Sequence, residues 1–363
     1  MMDRPLTGLR ILEFAGIGPG PFCGMLLADM GADVVRIDRP GVVPQGVGAI
    51  TGRGRRSVAL DLKKEGDRET ALALIGKADA LFEGFRPGVM ERMGLGPDVA
   101  LAQNPALVYG RMTGWGQSGP LASAAGHDLN YIALTGALHA MGRPDSPPSP
   151  PLNLVGDYGG GALFLAFGLV AGLLRARETG QGQVIDAAMT DGSALLTALF
   201  HDLMAAGMWQ DKRGTNFLDG AAPFYDTYEC ADGEFIAIGA IEPQFYSLLL
   251  EKVGLAGDPD FANQMDTKKW PLMKQRMAAI FRQKTREHWT SVMEGTDVCF
   301  APVLSMSEAP HHPHNKARET FISVNGGVQP TAAPRFRDVP NAPTKPAPHP
   351  GEHTQEVLRE WGV

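Results

Sequence analysis

The sequence predicts an α/β protein: a large parallel-sheet domain of the Rossmann-like kind and a smaller α+β domain. Three observations predict it. Short runs rich in β-branched residues alternate with helical stretches from Gly8 to Gly116. A glycine turn, "GIGPGP" (Gly16 to Pro21), stands between the first strand and the first helix. Beyond residue 150 the alternation stops, and an aromatic hairpin followed by helices takes over.

Each element has its own signal. "GLRILEF" (Gly8 to Phe14) is a short apolar strand, and Pro21 to Met30 a helix opened by proline. "ADVVRID" (Ala32 to Asp38) and "RSVALDL" (Arg56 to Leu62) read as the second and third strands. A helix over Thr70 to Lys77 precedes a fourth strand in "ADALFEGF", and "PALVYGRMTGWG" holds a fifth. Gly159 to Arg177 reads as a long apolar helix, and "GQVIDAAMTDGSALLTALF" starts as a strand and continues as a helix. Thr215 to Ala222 is a loop. "PFYDTYECADGEFIAIGA" is a hairpin turning at Ala231-Asp232-Gly233. Helices over Pro243 to Val253 and Trp270 to Arg282 follow, then a strand near Val303 in "VCFAPVL". Pro330 to Pro350 is proline-rich and reads as an extended arm, with "GEHTQEVLREWG" a closing helix. The expected boundaries are a large domain over 1–200 completed by 320–363, a linker over 201–223, a small domain over 224–310 and a return linker over 311–319.

Composition narrows the function classes. With 44% hydrophobic residues and mixed charge, the 363-residue chain reads as a soluble globular protein with room for two domains. A net charge of −7 argues against nucleic acid or an anionic membrane as partner. The first hundred residues balance 13 Lys/Arg against 13 Asp/Glu, so an anionic ligand would find its cations there. Cys23, Cys230 and Cys299 share no CxxC spacing, which fits a reducing compartment and no zinc site. The opening "MMDRPLTG" carries no signal or transit pattern, and the run Gly161 to Leu174 is too short to span a bilayer. The expected location is the cytoplasm, without membrane insertion.

"GIGPGP" with Asp38 ending the next strand comes close to a dinucleotide fingerprint. Pro21 replaces its third glycine, and Pro19 and Pro21 remove two amide donors from the turn that would hold a pyrophosphate. The favoured reading is a tight strand-to-helix turn. Cations are a stronger signal: Arg36 and Arg39, Arg53, Arg55 and Arg56, Lys63 and Lys64, Arg86 and Arg92. Arg39, Lys63 and Arg86 each follow a predicted strand, at the edge where wound sheets bind ligands. Singly, each reads as solvated surface charge. Together they imply a ligand with several phosphates.

Two further segments carry ionisable groups beside glycines at possible helix starts: "AGHDLNY" with His127, and "NLVGDYGGG" with Asp157. A histidine and a carboxyl converging on one carbon can remove a proton from one side and return it on the other. Alone, His127 reads as a structural histidine and Asp157 as a helix N-cap. The run "HHPH" (His311, His312, His314) is broken by proline and reads as a solvated loop, with no metal expected. His139, His201 and His288 have no acidic partner at useful spacing.

Taken in order, "GLRILEFAGIGPGPFC", "ADMGADVVRIDRP", "RSVALDLK", "EGFRPGVMERMGLGP", "GRMTGWGQSGP", "GHDLNYIALTG", "PLNLVGDYGGG", "GQGQVIDAAMTDG", "DGAAPFYDTYECADGEFIAIGAIEPQFY" and "GTDVCFAPVL" resemble the α-methylacyl-CoA racemase family of the class III CoA-transferase superfamily. The likeness runs from about Leu6 to Phe336; "GHDLNY" with "EPQFY" is its specific part, and the tail beyond carries none of it. The resemblance implies an interlocked homodimer with active sites where domains of different chains meet. It implies an acyl-CoA substrate held by Arg39, Leu60, Asp61, Leu62, Lys63, Gly84, Phe85, Arg86, Arg92, Gly126, Asp128, Leu129, Asn130 and Tyr131. It also implies catalysis by His127 and Asp157, with Glu242 hydrogen-bonded to the histidine.

The chemistry expected of such a site is 1,1-proton transfer between (R)- and (S)-2-methylacyl thioesters through an enolate. No cofactor is expected, since the thioester is its own electron sink. Apolar neighbours (Leu152, Leu154, Val155, Tyr158) should raise the Asp157 pKa, and Glu242 should fix the His127 tautomer and favour its charged form. Amides at the start of the helix containing Asp128 are expected to meet the enolate oxygen. The rival expectation is a CoA transferase of the same superfamily, with Asp157 as nucleophile through an acyl anhydride.

Overall fold

The computed structural model describes residues 3–42, 49–324, 326–339 and 345–363. The chain divides into two compact units, one of residues 1–137, 151–198 and 319–363, the other of 138–150 and 199–318.

The first unit is built on a six-stranded parallel sheet: β1 (Arg10–Phe14), β2 (Asp33–Asp38), β3 (Arg56–Ala59), β4 (Ala80–Glu83), β5 (Val108–Thr113) and β6 (Gln183–Ala188). Its spatial order is β3-β2-β1-β4-β5-β6, so the winding direction reverses between β1 and β4. The loops leaving those two strands therefore diverge and open a crevice at the C-terminal edge. Alternate residues of β1 feed opposite faces. Ile11 packs with Leu165 and Leu169 of helix Leu163–Thr179, while Leu12 packs with Leu74 and Trp361 on the other side.

Two ion pairs are buried within this sheet. Glu13 of β1 is held by the Arg55 guanidinium, which also donates to the carbonyls of Thr51 and Pro21. Glu83 of β4 accepts from Arg111 of β5 at 3.2 Å and from the Phe85 N–H at 2.7 Å. Burial pushes Glu83 up to about 7, against those two opposing contacts.

The structure corrects several expected elements. The first helix is Pro19–Asp29, starting at the earlier proline, and the second is Glu65–Ile75, opened by Glu65 and Asp67 in its first turn. The apolar helix expected from Gly159 starts instead at Leu154 as a nine-residue π-helix, Leu154–Ala162, that runs into Leu163–Thr179. Asp157 thus lies inside a helical turn and is no N-cap. Leu154–Thr179 is also long and apolar enough, by length and composition, to cross a membrane; the sequence reading stopped at the uninterrupted apolar run. Here its Leu165, Leu169 and Leu173 are buried in the core beside the sheet, while Leu163, Phe167 and Leu174 are exposed. The proline-rich arm follows a strand, Gly327–Pro330, that pairs antiparallel with Phe321–Val324; residues 340–344 of the arm lie outside the described residues.

The second unit carries a three-stranded antiparallel sheet, β7 (Tyr225–Glu229), β8 (Phe235–Gly239) and β9 (Phe300–Pro302). Its core gathers Phe224 with Tyr246 and Leu249 of helix Pro243–Lys252, with Trp270, Met273, Met277 and Phe281 of helix Trp270–Phe281, and with Trp289 of helix Arg286–Met293. Residues 201–223, expected as a linker, fall within this unit, as does 138–150.

Candidate active site

The site begins with a carboxylate that joins two segments. His127 is extended (φ −132°, ψ 174°) and precedes helix Asp128–Ala133. Asn130 Oδ1 accepts the His127 N–H at 3.0 Å, and the amides of Asn130 and Tyr131 return to the His127 carbonyl. The next side chain, Asp128, is buried, and its Oδ2 accepts the backbone N–H of Asp157 at 2.6 Å. One residue beyond His127 is therefore bonded to the π-helix carrying Asp157. The close approach depends on Gly156, where a Cβ would lie 2.7 Å from that Asp128 oxygen. The Asp128 and Leu129 amides make no hydrogen bond among the described residues, while those of Asn130 and Tyr131 are already used.

Asp157 is half-buried. Burial raises its pKa above the ordinary carboxyl value, and the Asp128 charge adds to the rise; the Asn153 amide, donating at 3.4 Å, and His127 oppose it. Gly18 of the glycine turn (φ +68°) lies against this carboxyl: a Cβ there would stand 3.1 Å from Asp157 Oδ2. So the turn that resembles a dinucleotide loop serves to bring backbone up to an acid. The Phe22 ring stacks on Tyr158 (4.1 Å between centroids), fixing helix Pro19–Asp29 against the π-helix. Tyr131 donates to the Gly126 carbonyl, meets Trp115 edge-on, and is pushed up by burial and by Asp157 while Arg86 opposes.

A cavity of about 880 Å³ lies beside this centre, over the C-terminal ends of β1, β2 and β3. Gly16 and Ile17 line it, next in sequence to Gly18. Of the residues expected at a CoA, Arg39, Leu60, Asp61, Leu62, Lys63 and Phe85 line this cavity. Gly126, Asp128, Leu129, Asn130 and Tyr131 stand instead around His127, while Gly84, Arg86 and Arg92 are exposed and outside the cavity wall.

The broader cation group divides. Arg53 is buried on Asp29 and the Pro330 carbonyl, Arg55 on Glu13, and Arg56 on Asp33, Glu356 and Glu360, so these three hold the fold together and are unavailable to a ligand. Arg36 is occupied by Asp38, whose carboxylate also accepts from Ser57 Oγ. The side chains of Arg39 and Lys63 have no partner among the described residues. Glu242 belongs to the second unit, at the N-cap of helix Pro243–Lys252, with Cys299 within its electrostatic reach. His312 reaches Glu294 at 2.7 Å, and His139 lies 3.9 Å from Asp211, acidic neighbours that sequence spacing did not reveal. All three cysteines are free.

Two contributors escaped the sequence reading. Asn153, which tunes Asp157, stands in the quoted "NLVGD" and could have been found as an i, i+4 partner. Ala347, Pro348, His349 and Pro350 also line the cavity, and nothing in the local sequence signals that a proline-rich tail returns to β3.

The family model described as CoA-transferase family III matches residues 6–354. The chain belongs to that family. It is similar to the alpha-methylacyl-CoA racemases of Mus musculus and Homo sapiens, each 47% identical over 98% of this chain and 93% of the relative. The acetyl-CoA:oxalate CoA-transferase of Acetobacter aceti is 32% identical, over 90% of this chain and 87% of the relative. Among solved structures, a CaiB/BaiF family protein from Brucella suis superposes with a TM-score of 0.86 at 25% identity, over 99% of this chain and 100% of that one. The fold is therefore shared across the family, while the higher sequence identity is to racemases.

Proposed function

We propose that this protein interconverts the (R) and (S) forms of 2-methylacyl-CoA thioesters by 1,1-proton transfer, with His127 and Asp157 as the two acid/base groups. The carrying observation is the coupling of the two: Asp128, adjacent to His127, holds the backbone of Asp157, and the charge of His127 acts on the Asp157 carboxyl. The 47% identity to two racemases supports the activity, and membership of CoA-transferase family III supports a CoA thioester as substrate.

The chemistry follows from the groups. An α-proton beside a thioester carbonyl is weakly acidic, and its removal leaves a flat enolate. A neutral imidazole takes the proton from one enantiomer while a protonated carboxyl delivers one to the other face; the reverse substrate exchanges the roles. The raised Asp157 pKa keeps its carboxyl closer to the proton affinity of imidazole, which equalises the two directions. The unoccupied donors of Asp128 and Leu129 supply N–H groups for the enolate oxygen. The thioester carbonyl accepts the electron pair without a cofactor, and Arg39 with Lys63 pairs CoA phosphates. The protein acts in the cytoplasm as a homodimer, supported by its free cysteines and by the exposed stripe of Leu163, Phe167 and Leu174 on one helix face.

The test is incubation of each single enantiomer of a 2-methylacyl-CoA in heavy water. Inversion with deuterium uptake at the α-carbon is expected, and inversion collapses in His127→Ala and Asp157→Ala. An acyl adduct trapped on Asp157 by hydroxylamine would instead assign the chain to the transferases.

A further inference from the structure

Gly16 and Ile17 line the cavity beside the turn whose Gly18 abuts Asp157, and the proposed mechanism puts the reacting carbon on that side. Leu60 to Lys63, which follow β3, line it two strands away from β1 in the sheet, or roughly 10 Å at about 4.8 Å per strand. There the wall is completed by the C-terminal segment Ala347–Pro350, in which Pro348 is buried and His349 exposed.

That segment is anchored. Gly351 donates its N–H to Ser57 Oγ (2.8 Å), His353 donates its N–H to the Ser57 carbonyl (2.9 Å), and Thr354 Oγ1 accepts the Ala59 N–H (3.1 Å). Ser57 Oγ in turn donates to Asp38, the carboxylate that occupies Arg36. Gly351 (φ +80°) packs so tightly that a Cβ would stand 2.8 Å from the Ala59 Cβ. Helix Thr354–Trp361 then locks on through Arg56 with Glu356 and Glu360, and through Trp361 Nε1 donating to Asp33. The His349 backbone N–H is spent on Glu352 at 2.7 Å, and its imidazole has no partner among the described residues. It shares the cavity with the unpartnered heads of Arg39 and Lys63, while Asp38 is already neutralised by Arg36.

We propose that the segment Ala347–Pro350 closes the nucleotide end of the CoA cavity, and that His349 is a specificity-determining residue donating a hydrogen bond to a phosphate of the CoA nucleotide. This inference rests on the acyl-CoA reading above. A thioester bound with its α-carbon at Asp157 directs the far end of CoA along the cavity toward β3. There an imidazole carried on an anchored backbone joins two cations. An imidazole on an anchored, proline-flanked segment loses little freedom on binding, so it discriminates where flexible lysine heads only attract.

The test is equilibrium binding of CoA, dephospho-CoA and pantetheine to the full-length protein and to His349→Ala and His349→Gln. His349 is exposed, and thermal melts of both variants check that the fold is unchanged. His349→Ala is expected to weaken CoA about tenfold, the size of one charge-assisted hydrogen bond. His349→Gln should recover part of the loss, and pantetheine should bind all three proteins alike. A loss confined to CoA assigns the 3′-phosphate, and a loss shared with dephospho-CoA assigns the diphosphate; both support the proposal. Unchanged CoA binding in His349→Ala, or equal weakening of pantetheine, overturns it and leaves the racemase reading standing. Failure of the unaltered protein to bind CoA overturns both.

Discussion

The two side chains proposed as acid and base differ in exposure. His127 is exposed at a helix start, whereas Asp157 is half-buried among glycines and held by a backbone bond to Asp128. The raised Asp157 pKa makes a pH prediction with a definite sign. In the direction that uses Asp157 as base, kcat/KM falls as pH drops through its raised pKa, because the carboxyl then keeps its proton. The Asn153 amide favours the ionised form, so Asn153→Ala removes a lowering influence. The acidic limb of the kcat/KM profile should move to higher pH. A limb that stays in place or moves down would show that Asn153 does not tune this carboxyl. His127 and Asp157 were legible because "GHD" and "VGD" set ionisable groups beside glycines, and because "GHDLNY" resembles a family. The Asp128–Asp157 bond joins residues 29 apart in sequence and leaves no local mark. The same limit explains Arg53, Arg55 and Arg56: a cation on a loop reads alike whether water or a buried carboxylate receives it.

At the scale of elements, the strands of the large sheet were legible because both faces are covered, which demands continuous β-branched runs. The π-helix was not. Its wider register has no hydrophobic period of its own, so Gly159 looked like the start of a helix that begins at Leu154. This segment positions Asp157 by close packing on helix Met189–Leu195, where Gly192 faces Gly160. A Cβ at 192 would lie 1.9 Å from the Gly160 carbonyl oxygen, a backbone atom that cannot swing aside. Gly192→Ala should therefore destabilise the protein by at least about 3 kcal/mol, the upper range for overpacking, seen as a fall in denaturant midpoint. A variant with an unchanged midpoint would mean that the two segments are not packed this closely.

For the whole molecule, an exposed apolar stripe demands an explanation. Phe167 is 74% exposed and Leu174 64%, on the same helix that feeds Leu165, Leu169 and Leu173 to the core. In the proposed homodimer another copy covers this stripe. Light scattering on the eluting protein should give twice the chain mass. Phe167→Glu should shift it toward the monomer and lower activity if sites form between chains; a monomeric unaltered protein would contradict the homodimer. The two-unit division was partly legible, since the aromatic hairpin announces a change of architecture. The transfer of 138–150 to the second unit was not, as a proline-rich stretch carries no address. Likewise, the tail's return to β3 depends on Ser57, Ala59 and Arg56, almost three hundred residues earlier, and no pattern within the tail foretells it.

The central claim is that His127 and Asp157 serve opposite faces of one planar carbon, and enantiomer-resolved α-proton exchange tests it most directly. Each pure enantiomer of a 2-methylacyl-CoA is placed in heavy water with His127→Gln or Asp157→Asn, and deuterium uptake is followed without waiting for inversion. Each variant should still exchange one enantiomer and ignore the other, with the retained enantiomer opposite in the two variants. If both variants retain the same enantiomer, the two groups share a face and the mechanism is wrong.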